Sequence, residues 1–455
     1  MKSDINILVV SHNPFSDTQN NGKTLTSLLG DWPEGRIAQV YFSNLPPDRT
    51  VCRKFFRILD ADVFKSIFQR RPSCTGSVID DLTPLEADLS ENAGGGSLKN
   101  MVLGIFRKRW PIAVTMRNAI WSVGKWNTDG FQQWLDDFQP DLIFFQSSHC
   151  TFPYKVVDFI RKRYKIPIIM QTTDDYVSSK FSLDPFFWCN LAGLKKWYAK
   201  FARESKAILT IGDKMAEEYA AKFGGNYHVA MNSVDIPAAA DAPGAGSDKL
   251  SLVYTGNLHS GRFQTLRLLA QTLWRMGGKY QRAHISIYSL VPPTPKELGH
   301  ISDMQNISYQ GALNDPEAVK QVQRDADVLL HVESFRPKDK YITRLSVSTK
   351  IPEYMASGAC ILAVGPMDVA SMEYIAKHET GFVIHDVHAP HFDDMIQMLW
   401  DNDRREACIE KAYALVQSRH SMEKARAQIK AIACDDSSGN KDEENEYGST
   451  KNKRA

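Results

Sequence analysis

Short runs of apolar residues alternate with longer amphipathic segments along most of this chain. The first apolar run spans Ile5 to Val10 and precedes a polar, turn-rich stretch from Ser11 to Thr24. Leu25, Leu28 and Leu29 then recur at helical spacing, so the order predicts a strand, a loop and a helix. Further strands and helices are predicted in the same manner within residues 141–163, 166–171 and 207–222. Strands that alternate with helices favour a parallel, doubly wound sheet.

The pattern is interrupted between Asn232 and Lys249, where Ala, Gly, Pro and Asp dominate, and resumes at Leu250. Strands are predicted there at residues 250–254, 283–288, 327–332, 359–364 and 381–384, with helices at 265–276, 316–324 and 351–356. The sequence therefore predicts an α/β protein with two Rossmann-like domains, residues 1–235 and 250–434, joined by a linker at 236–249. We expect the two sheets to face each other across a cleft that binds ligands.

Two segments do not fit this alternation. Residues 435–455 are polar and contain few apolar side chains, which predicts a disordered tail. Residues 87–126 form an irregular insertion in the first domain, where aromatic residues lie beside Arg107, Lys108 and Arg109. Such residues are compatible with peripheral contact with the inner membrane or with a lipid-linked acceptor. An ordinary amphipathic helix that covers the sheet is the alternative.

Composition and charge exclude several classes of protein. The 55 Lys and Arg residues balance 53 Asp and Glu, so the net charge of +2 gives no reason to expect a nucleic-acid partner. Seven scattered cysteines without a Cys-x-x-Cys pair predict neither a disulfide framework nor a zinc site, and they fit a reducing cytoplasm. No apolar stretch reaches the roughly 18 residues that a membrane-spanning helix needs. We expect a cytoplasmic protein.

The strongest chemical signal is a polar turn that leads into a short helix and then a buried strand, between Ser346 and Gly365. A helix that begins near Ser348 and Thr349 would direct free backbone NH groups at a ligand, and Lys350 adds a cation. Glu353 follows three residues later, where its carboxylate can accept hydrogen bonds from a ribose diol while Lys350 contacts phosphate. A surface ion pair between these two side chains is the alternative.

Residues 348–358 read Ser-Thr-Lys-Ile-Pro-Glu-Tyr-Met-Ala-Ser-Gly. They resemble the donor-binding signature of the retaining, two-Rossmann-domain (GT-B) glycosyltransferases of family four. The resemblance implies an enzyme that transfers a sugar from a UDP- or GDP-linked nucleotide sugar to a glycan or lipid-linked acceptor in polysaccharide biosynthesis, with retention. It also implies a donor-side second domain and an acceptor-side first domain. No Asp-x-Asp motif of the metal-dependent glycosyltransferases stands in a convincing strand-end context, so we expect a metal-independent reaction without a cofactor.

The same resemblance assigns roles to residues elsewhere in the second domain. Gly256 and Asn257 match the loop after the first strand, where the backbone approaches the nucleotide diphosphate, and Arg262 matches the basic residue that neutralises it. A simple turn with a solvated arginine is the alternative. Ala312 and Leu313 match the segment that brackets the nucleobase.

In the first domain, Gly22 matches a glycine-containing loop that contacts the donor sugar or phosphates. A Walker phosphate loop is not favoured, because position 17 is not glycine. Asp174 and Asp175 match a polar pair near the reacting sugar, where they would orient the sugar or the acceptor hydroxyl. Paired acidic residues also serve as helix caps, which is the alternative.

One departure from the family pattern concerns the donor sugar. Many members carry a glutamate eight positions before the one matched by Glu353, but this chain has Leu345 there. Glu333 lies upstream, separated by a charged loop at residues 336–344, and it is the candidate replacement as a catalytic carboxylate. A sugar-nucleotide epimerase of the same fold, and a catalytically silent scaffold or glycan-binding protein, remain alternative functions.

Overall fold

The structure is a computed structural model that describes residues 5–16, 20–79, 110–178, 182–234, 236, 249–386 and 392–435. Three predictions therefore concern residues outside the described part. They are the disordered tail beyond residue 435, most of the linker at 236–249, and the part of the predicted insertion that contains Arg107, Lys108 and Arg109. Nothing in the structure tests them.

The described chain forms two compact units. The first comprises Met1–Thr210, Ala216–His228 and Arg426–Ala455, and the second comprises Ile211–Met215 and Val229–Ala425. The units differ from the predicted domain boundaries at the C-terminal end, because the chain returns to the first unit at Arg426.

An eight-stranded sheet forms the centre of the first unit. Its strands are β1 (Ile7–Ser11), β2 (Ile37–Tyr41), β3 (Lys54–Arg57), β4 (Ser77–Ile79), β5 (Leu142–Gln146), β6 (Ile168–Thr172), β7 (Ala207–Thr210) and β8 (Tyr227–Val229). They are ordered β4-β3-β2-β1-β5-β6-β7-β8. Strands β3 and β4 are antiparallel, whereas the strands from β3 to β7 pair in parallel. Every residue of β1, β2, β5 and β6 is buried, as expected for parallel strands covered on both faces.

Helices connect these strands: α1 (Asn20–Leu29), α2 (Asp60–Phe68), α3 (Pro111–Val123), α4 (Asp129–Phe138), α5 (Phe152–Tyr164), α6 (Pro185–Glu204) and α7 (Asp213–Phe223). Proline opens α3 and α6, and Asp184 caps α6 by accepting a hydrogen bond from the Phe186 amide. Helix α1 begins at Asn20, so the predicted loop up to Thr24 is wrong at its end. Part of the insertion that was predicted to be irregular, residues 111–123, likewise forms a regular helix, α3.

A six-stranded sheet forms the centre of the second unit. Its strands are β9 (Leu250–Thr255), β10 (Ala283–Tyr288), β11 (Ile307–Gly311), β12 (Val328–Val332), β13 (Cys360–Val364) and β14 (Phe382–Ile384). The order is β11-β10-β9-β12-β13-β14 and every pair is parallel. The order reverses between β9 and β12. This reversal is the topological switch point of a Rossmann sheet, and ligands bind beyond the carboxyl ends of the strands there.

The helices of the second unit are α8 (Arg262–Met276), α9 (Pro295–Gly299), α10 (Pro316–Arg324), α11 (Pro337–Thr343), α12 (Lys350–Ala356), α13 (Ala370–His378), α14 (Phe392–Met398) and α15 (Asn402–Leu415), and α16 (Met422–Cys434) ends the described chain. Residues 336–344 were predicted to form a charged loop. This prediction is wrong, because Pro337–Thr343 form helix α11, which proline opens. Across the described residues, no helix has the length and apolar character needed to cross a membrane.

Candidate functional site

The candidate site lies at the carboxyl ends of β9 and β12, where the strand order of the second sheet reverses. Gly256 follows β9 directly, and Glu333 follows β12 directly. The helix α8 begins a few residues after β9, at Arg262, and α12 begins at Lys350. The fold thus brings together the loop after β9, the end of β12 and the start of α12, which are separate segments of the sequence.

Gly256 is required by the position of the Lys350 side chain. A Cβ atom at residue 256 would lie only 1.6 Å from the Lys350 Nζ and 2.5 Å from its Cε. The backbone of Gly256 also has a φ of +150°, which side-chain-bearing residues rarely adopt. Its amide donates to the Tyr288 carbonyl at 2.9 Å, which holds the loop against β10. The lysine ammonium therefore rests directly on the backbone of the β9 loop.

The environment of Lys350 makes its positive charge costly in the absence of a ligand. Burial, together with the nearby positive charge of Arg262, lowers the pKa of Lys350 to about 8. Glu333 and Glu353 oppose that shift. The ammonium lies over the Tyr254 ring, 5.1 Å from its centroid, but it forms no ion pair with the carboxylates that the structure describes. An anion at this position would compensate the charge.

Arg262 is the second cation of the site. Its Nη2 lies 3.1 Å from the Glu333 Oε1, and its Nη1 donates to the Asn257 Oδ1 at 3.2 Å. Gly261 precedes it with a φ of +77°, and a Cβ there would lie 2.3 Å from the Ser334 Oγ. Because the loops after β9 and β12 pack closely, the Arg262 guanidinium lies against Glu333.

Glu333 is fixed by its backbone but has one unpaired oxygen. Its amide donates to the Val364 carbonyl, and its carbonyl accepts from the Thr265 hydroxyl, both at 2.9 Å. The side chain is only 2% exposed, yet its Oε2 has no hydrogen-bond partner within the part of the chain that the structure describes. A buried carboxylate oxygen normally has such a partner. A ligand hydroxyl or a water would satisfy it.

His331 contributes a second buried polar atom beside Glu333. Its Nε2 lies 3.7 Å from the Glu333 Oε1 and has no hydrogen-bond partner among the described residues. Burial lowers the pKa of His331 to about 3, and the charges of Arg262 and Lys350 act in the same direction. The imidazole is therefore neutral at pH 7. The sequence prediction missed His331, since a histidine inside an apolar strand is more often part of the core.

Tyr354 fixes helix α12 to strand β9. Its hydroxyl donates to the Thr255 carbonyl at 3.0 Å, and the Thr255 amide donates back to it at 3.2 Å. The Gln323 side chain donates to the Thr255 hydroxyl at 3.1 Å. These buried contacts set the distance between the Lys350 helix and Gly256. Tyr354 stands in the Glu-Tyr-Met-Ala motif, but the sequence assigned it no role.

A buried network supports the loop after β12. Asp339, near the start of α11, accepts hydrogen bonds from the Ser334 Oγ at 3.1 Å and the Arg336 Nε at 2.6 Å. Its Oδ2 would also lie 2.7 Å from a Cβ at Gly261. The charged residues after Glu333 therefore hold the two loops of the site together.

The remaining predicted donor-side residues lie around these loops. The Ser348 amide donates to the Ser371 Oγ at 3.0 Å, and Thr349 precedes α12 as an exposed residue. Glu353 is half-buried on the first turn of α12. Ala312 and Leu313 follow Gly311, whose φ of +98° ends β11 in a turn.

In the first unit, the predicted residues have different surroundings. Gly22 lies in the first turn of α1, not in a loop. A Cβ there would come within 2.4 Å of the Pro14 carbonyl oxygen. The glycine therefore allows α1 to pack against the loop after β1. The Asp175 Oδ1 accepts from the Tyr219 hydroxyl at 2.6 Å and the Ser178 amide at 3.0 Å, whereas Asp174 is exposed.

No group of three or more His, Cys, Asp or Glu side chains in the described ranges is arranged to hold a metal ion.

Comparison with known proteins identifies the fold. No protein-family profile matches the chain, and no curated protein matches it in sequence. Among solved structures, Anabaena Alr3699/HepE in complex with UDP-glucose is 12% identical with a TM-score of 0.55, and the match covers 93% of this chain and 98% of that one. The UDP-forming α,α-trehalose-phosphate synthase of Burkholderia vietnamiensis is 11% identical with a TM-score of 0.56, over 94% and 99% of the two chains.

The match to S. aureus TarM is less extensive. It has 13% identity and a TM-score of 0.50, and it covers 67% of this chain and 57% of the TarM chain. The matches to HepE and to the trehalose-phosphate synthase extend over nearly the whole length of both partners. Together with the two parallel α/β sheets, they show that this chain has the two-Rossmann-domain (GT-B) fold that its donor-binding signature implied.

Proposed function

We propose that this protein is a glycosyltransferase that transfers a sugar from a nucleotide-diphosphate donor to a glycan or lipid-linked acceptor. The observation that carries the proposal is the charge of the switch-point site. Arg262 pairs with Glu333, whereas Lys350 forms no ion pair with a carboxylate that the structure describes, so these three groups carry a net positive charge. A diphosphate is the ligand whose charge and size fit two cations on opposing loops. HepE, which has the same fold, binds UDP-glucose.

In the proposed reaction, the nucleoside diphosphate is the leaving group. Negative charge grows on its bridging oxygen as the glycosidic bond breaks, and Lys350 and Arg262 offset that charge. Bound diphosphate also raises the pKa of Lys350 and keeps its amine protonated. The close approach at Gly256 lets the ammonium and the loop backbone contact the same phosphate group. The cations thus serve the role that a metal ion has in other transferases.

Glu333 is the proposed residue for the sugar. Its Oε2 is the unpaired acceptor at the end of β12, and it would accept a hydrogen bond from a hydroxyl of the donor sugar. The Oε1 would keep Arg262 oriented during the reaction. Asp174 accepts a hydrogen bond from the Tyr176 hydroxyl at 3.1 Å but is exposed, whereas Asp175 is buried, so Asp174 is the proposed member of the acidic pair to orient the acceptor hydroxyl.

The stereochemistry and the biological setting are part of the same proposal. Attack of the acceptor hydroxyl on the leaving-group face of the sugar would retain the anomeric configuration, as the family-four signature implies. Synthesis of a polysaccharide at the cytoplasmic face of the membrane is the setting that this signature favours. UDP and GDP both remain candidates for the nucleotide.

The test is a thermal-shift titration with UDP, GDP and their sugars, because a ligand that binds only the folded state raises its stability. We expect one nucleotide class to raise the melting temperature of the wild type and to lose this effect in Lys350→Ala. Lys320→Ala is the matched control, since Lys320 pairs only with exposed Glu317 one turn away. Nucleotide release from the donor that depends on an acceptor then distinguishes a transferase from an epimerase. No shift with any nucleotide would favour a scaffold instead.

A further inference from the structure

Helix α3 is apolar on its solvent-exposed side, and its buried side combines the apolar Ala113 and Trp121 with Arg117. Its only charged residue, Arg117, points inward, where it pairs with Asp60 at 2.9 Å and lies over the Phe152 ring. Its solvent-exposed side carries apolar residues at intervals of four, three and four positions, namely Ile112, Met116, Ala119 and Val123. This spacing places them on one stripe of the helix. Val123 is 65% exposed.

The helices on either side of α3 extend this apolar surface. The start of α6 is joined to the start of α3 by Asn190, whose side chain donates to the Pro111 carbonyl at 2.7 Å. The Ser66 Oγ of α2 accepts from the Lys125 amide just beyond the end of α3. Exposed apolar side chains of this surface, which we name the α2–α3–α6 face, include Phe68, Trp110, Met116, Val123, Phe186 and Trp188.

Basic residues border the same face. Lys65, Arg70 and Arg71 are exposed on and after α2, and Lys125 is exposed after α3. The neighbouring acids are engaged locally, because Asp60 pairs with Arg117 and Asp62 caps α2 through the Leu59 amide. The Asp184 carboxylate caps α6. Among the described residues named here, the four basic side chains outnumber the two capping carboxylates, so the charge at this border is positive.

We propose that the α2–α3–α6 face docks on the surface of an anionic lipid bilayer. The apolar stripe would enter the boundary between headgroups and acyl chains, and the basic border would contact lipid phosphates. The aromatic rings of Trp110 and Trp188 suit the interface, because tryptophan is enriched at the boundary between the bilayer and water. The proposal goes beyond the transferase activity. It does not depend on which sugar is transferred.

The test is flotation of the full-length protein with vesicles of phosphatidylcholine, with or without phosphatidylglycerol. We expect the wild type to bind the anionic vesicles and to dissociate at high salt, because salt screens the basic border. The double variant Met116→Glu, Val123→Glu should bind at least about tenfold more weakly, since it places charge in the apolar stripe. The matched control is Trp274→Glu, Leu298→Glu, which changes exposed apolar residues of the second unit. Its binding should equal that of the wild type.

A second variant pair tests the basic border alone. Each basic residue near an anionic surface contributes about fivefold to binding, so Arg70→Ser, Arg71→Ser should reduce it about 30-fold. Arg275→Ser, Lys296→Ser, which removes two exposed basic residues of the second unit, should have no effect. Unchanged melting temperatures and unchanged nucleotide binding would show that all variants are folded. This readout separates failure of the docking proposal from failure of the proposed function.

Quenching of tryptophan fluorescence by lipids brominated in their acyl chains locates the contact. The quenching should fall in Trp110→Phe, Trp188→Phe. Unchanged quenching would assign membrane contact to another surface and overturn the proposal. Failure of the wild type to float with anionic vesicles would also overturn it. A wild-type dimer that Met116→Glu, Val123→Glu converts to a monomer, without vesicle binding, would assign the face to a second copy of the chain.

Discussion

The substitution Gly256→Ala tests the candidate site most directly, because it places a methyl group where the Lys350 ammonium lies. The new Cβ would be 1.6 Å from Nζ, whereas non-bonded heavy atoms normally stay about 3.5 Å apart. The ammonium must therefore move by about 2 Å. The φ of +150° adds backbone strain of about 1–3 kcal/mol in the folded state. We expect a loss of both stability and nucleotide affinity.

The expected loss of affinity follows from the contact that the ammonium makes. A hydrogen bond to a charged group contributes about 1.5–3 kcal/mol, so the dissociation constant for the nucleotide should rise about 10- to 150-fold. Isothermal titration with whichever of UDP or GDP binds the wild type measures this change. Gly299→Ala is the matched control, because no atom lies within 4 Å of a Cβ at that position. Its affinity should stay within about twofold of the wild type.

A double-mutant cycle separates displacement of Lys350 from general damage to the loop. If Gly256→Ala acts by moving the ammonium, it should change the nucleotide affinity of Lys350→Ala by less than about twofold. An equal loss in both backgrounds would refute the reasoning, since the two positions would then act independently. Wild-type affinity in Gly256→Ala, despite lower stability, would refute it as well.

The pH dependence and substitutions at three positions test the charges and packing of the site. Nucleotide affinity should fall as the pH rises through about 8, where Lys350 loses its proton. Without ligand, Lys350 makes the free energy of unfolding rise as the pH increases from about 8 to its ordinary pKa of 10.5, because the unfolded chain binds more protons in that range. Urea unfolding of Lys350→Met should lack this rise. Glu333→Gln should strengthen binding of the free nucleotide about fivefold, because Arg262 loses its ion pair. In the same variant kcat should fall, and the sugar nucleotide should no longer bind more tightly than the free nucleotide. Leu345→Glu should destabilise the fold by about 4 kcal/mol or more, whereas Leu345→Met should cost under about 1.5 kcal/mol, as measured by urea unfolding.

Strands β12 and β13 of the second sheet were predictable because their sequences are nearly unbroken apolar runs. Strands buried on both faces need such runs, and β12 and β13 are fully buried. Strand β2 was not predicted, since the polar Gln39 stands at its centre. The structure satisfies this side chain internally, because Gln39 donates to the Ser11 Oγ at 2.8 Å and accepts from the Phe15 amide at 3.1 Å. Such a pairing depends on tertiary contacts that a local pattern does not contain.

The residues of the site were partly predictable for a similar reason. Lys350 and Gly256 belong to local motifs, so the sequence could single them out. Their contact could not be predicted, because it depends on the buried Tyr354 that fixes α12 to β9. The unpaired atoms of His331 and Glu333 were also beyond prediction, since a missing hydrogen bond is visible only when every neighbour is placed.

The position of the carboxylate follows from the topology of the sheet. At residue 345, where family-four enzymes often carry glutamate, the Leu345 side chain is fully buried and belongs to the core. Glu333 stands at the end of β12, and β12 adjoins β9 at the switch point. A residue that follows β12 therefore reaches the first residue of the helix after β9, which is Arg262, without any long loop.

This placement has a consequence for donor selection. A carboxylate on a strand end moves less than one on a loop, because the backbone of Glu333 is held by Val364 on one side and by Thr265 on the other. A fixed acceptor discriminates strongly between sugars that offer a hydroxyl to it and sugars that do not, since the latter leave a buried oxygen unpaired. We therefore expect this protein to select its donor sugar at a single hydroxyl, through a carboxylate at position 333 instead of the glutamate that the family-four signature places at position 345.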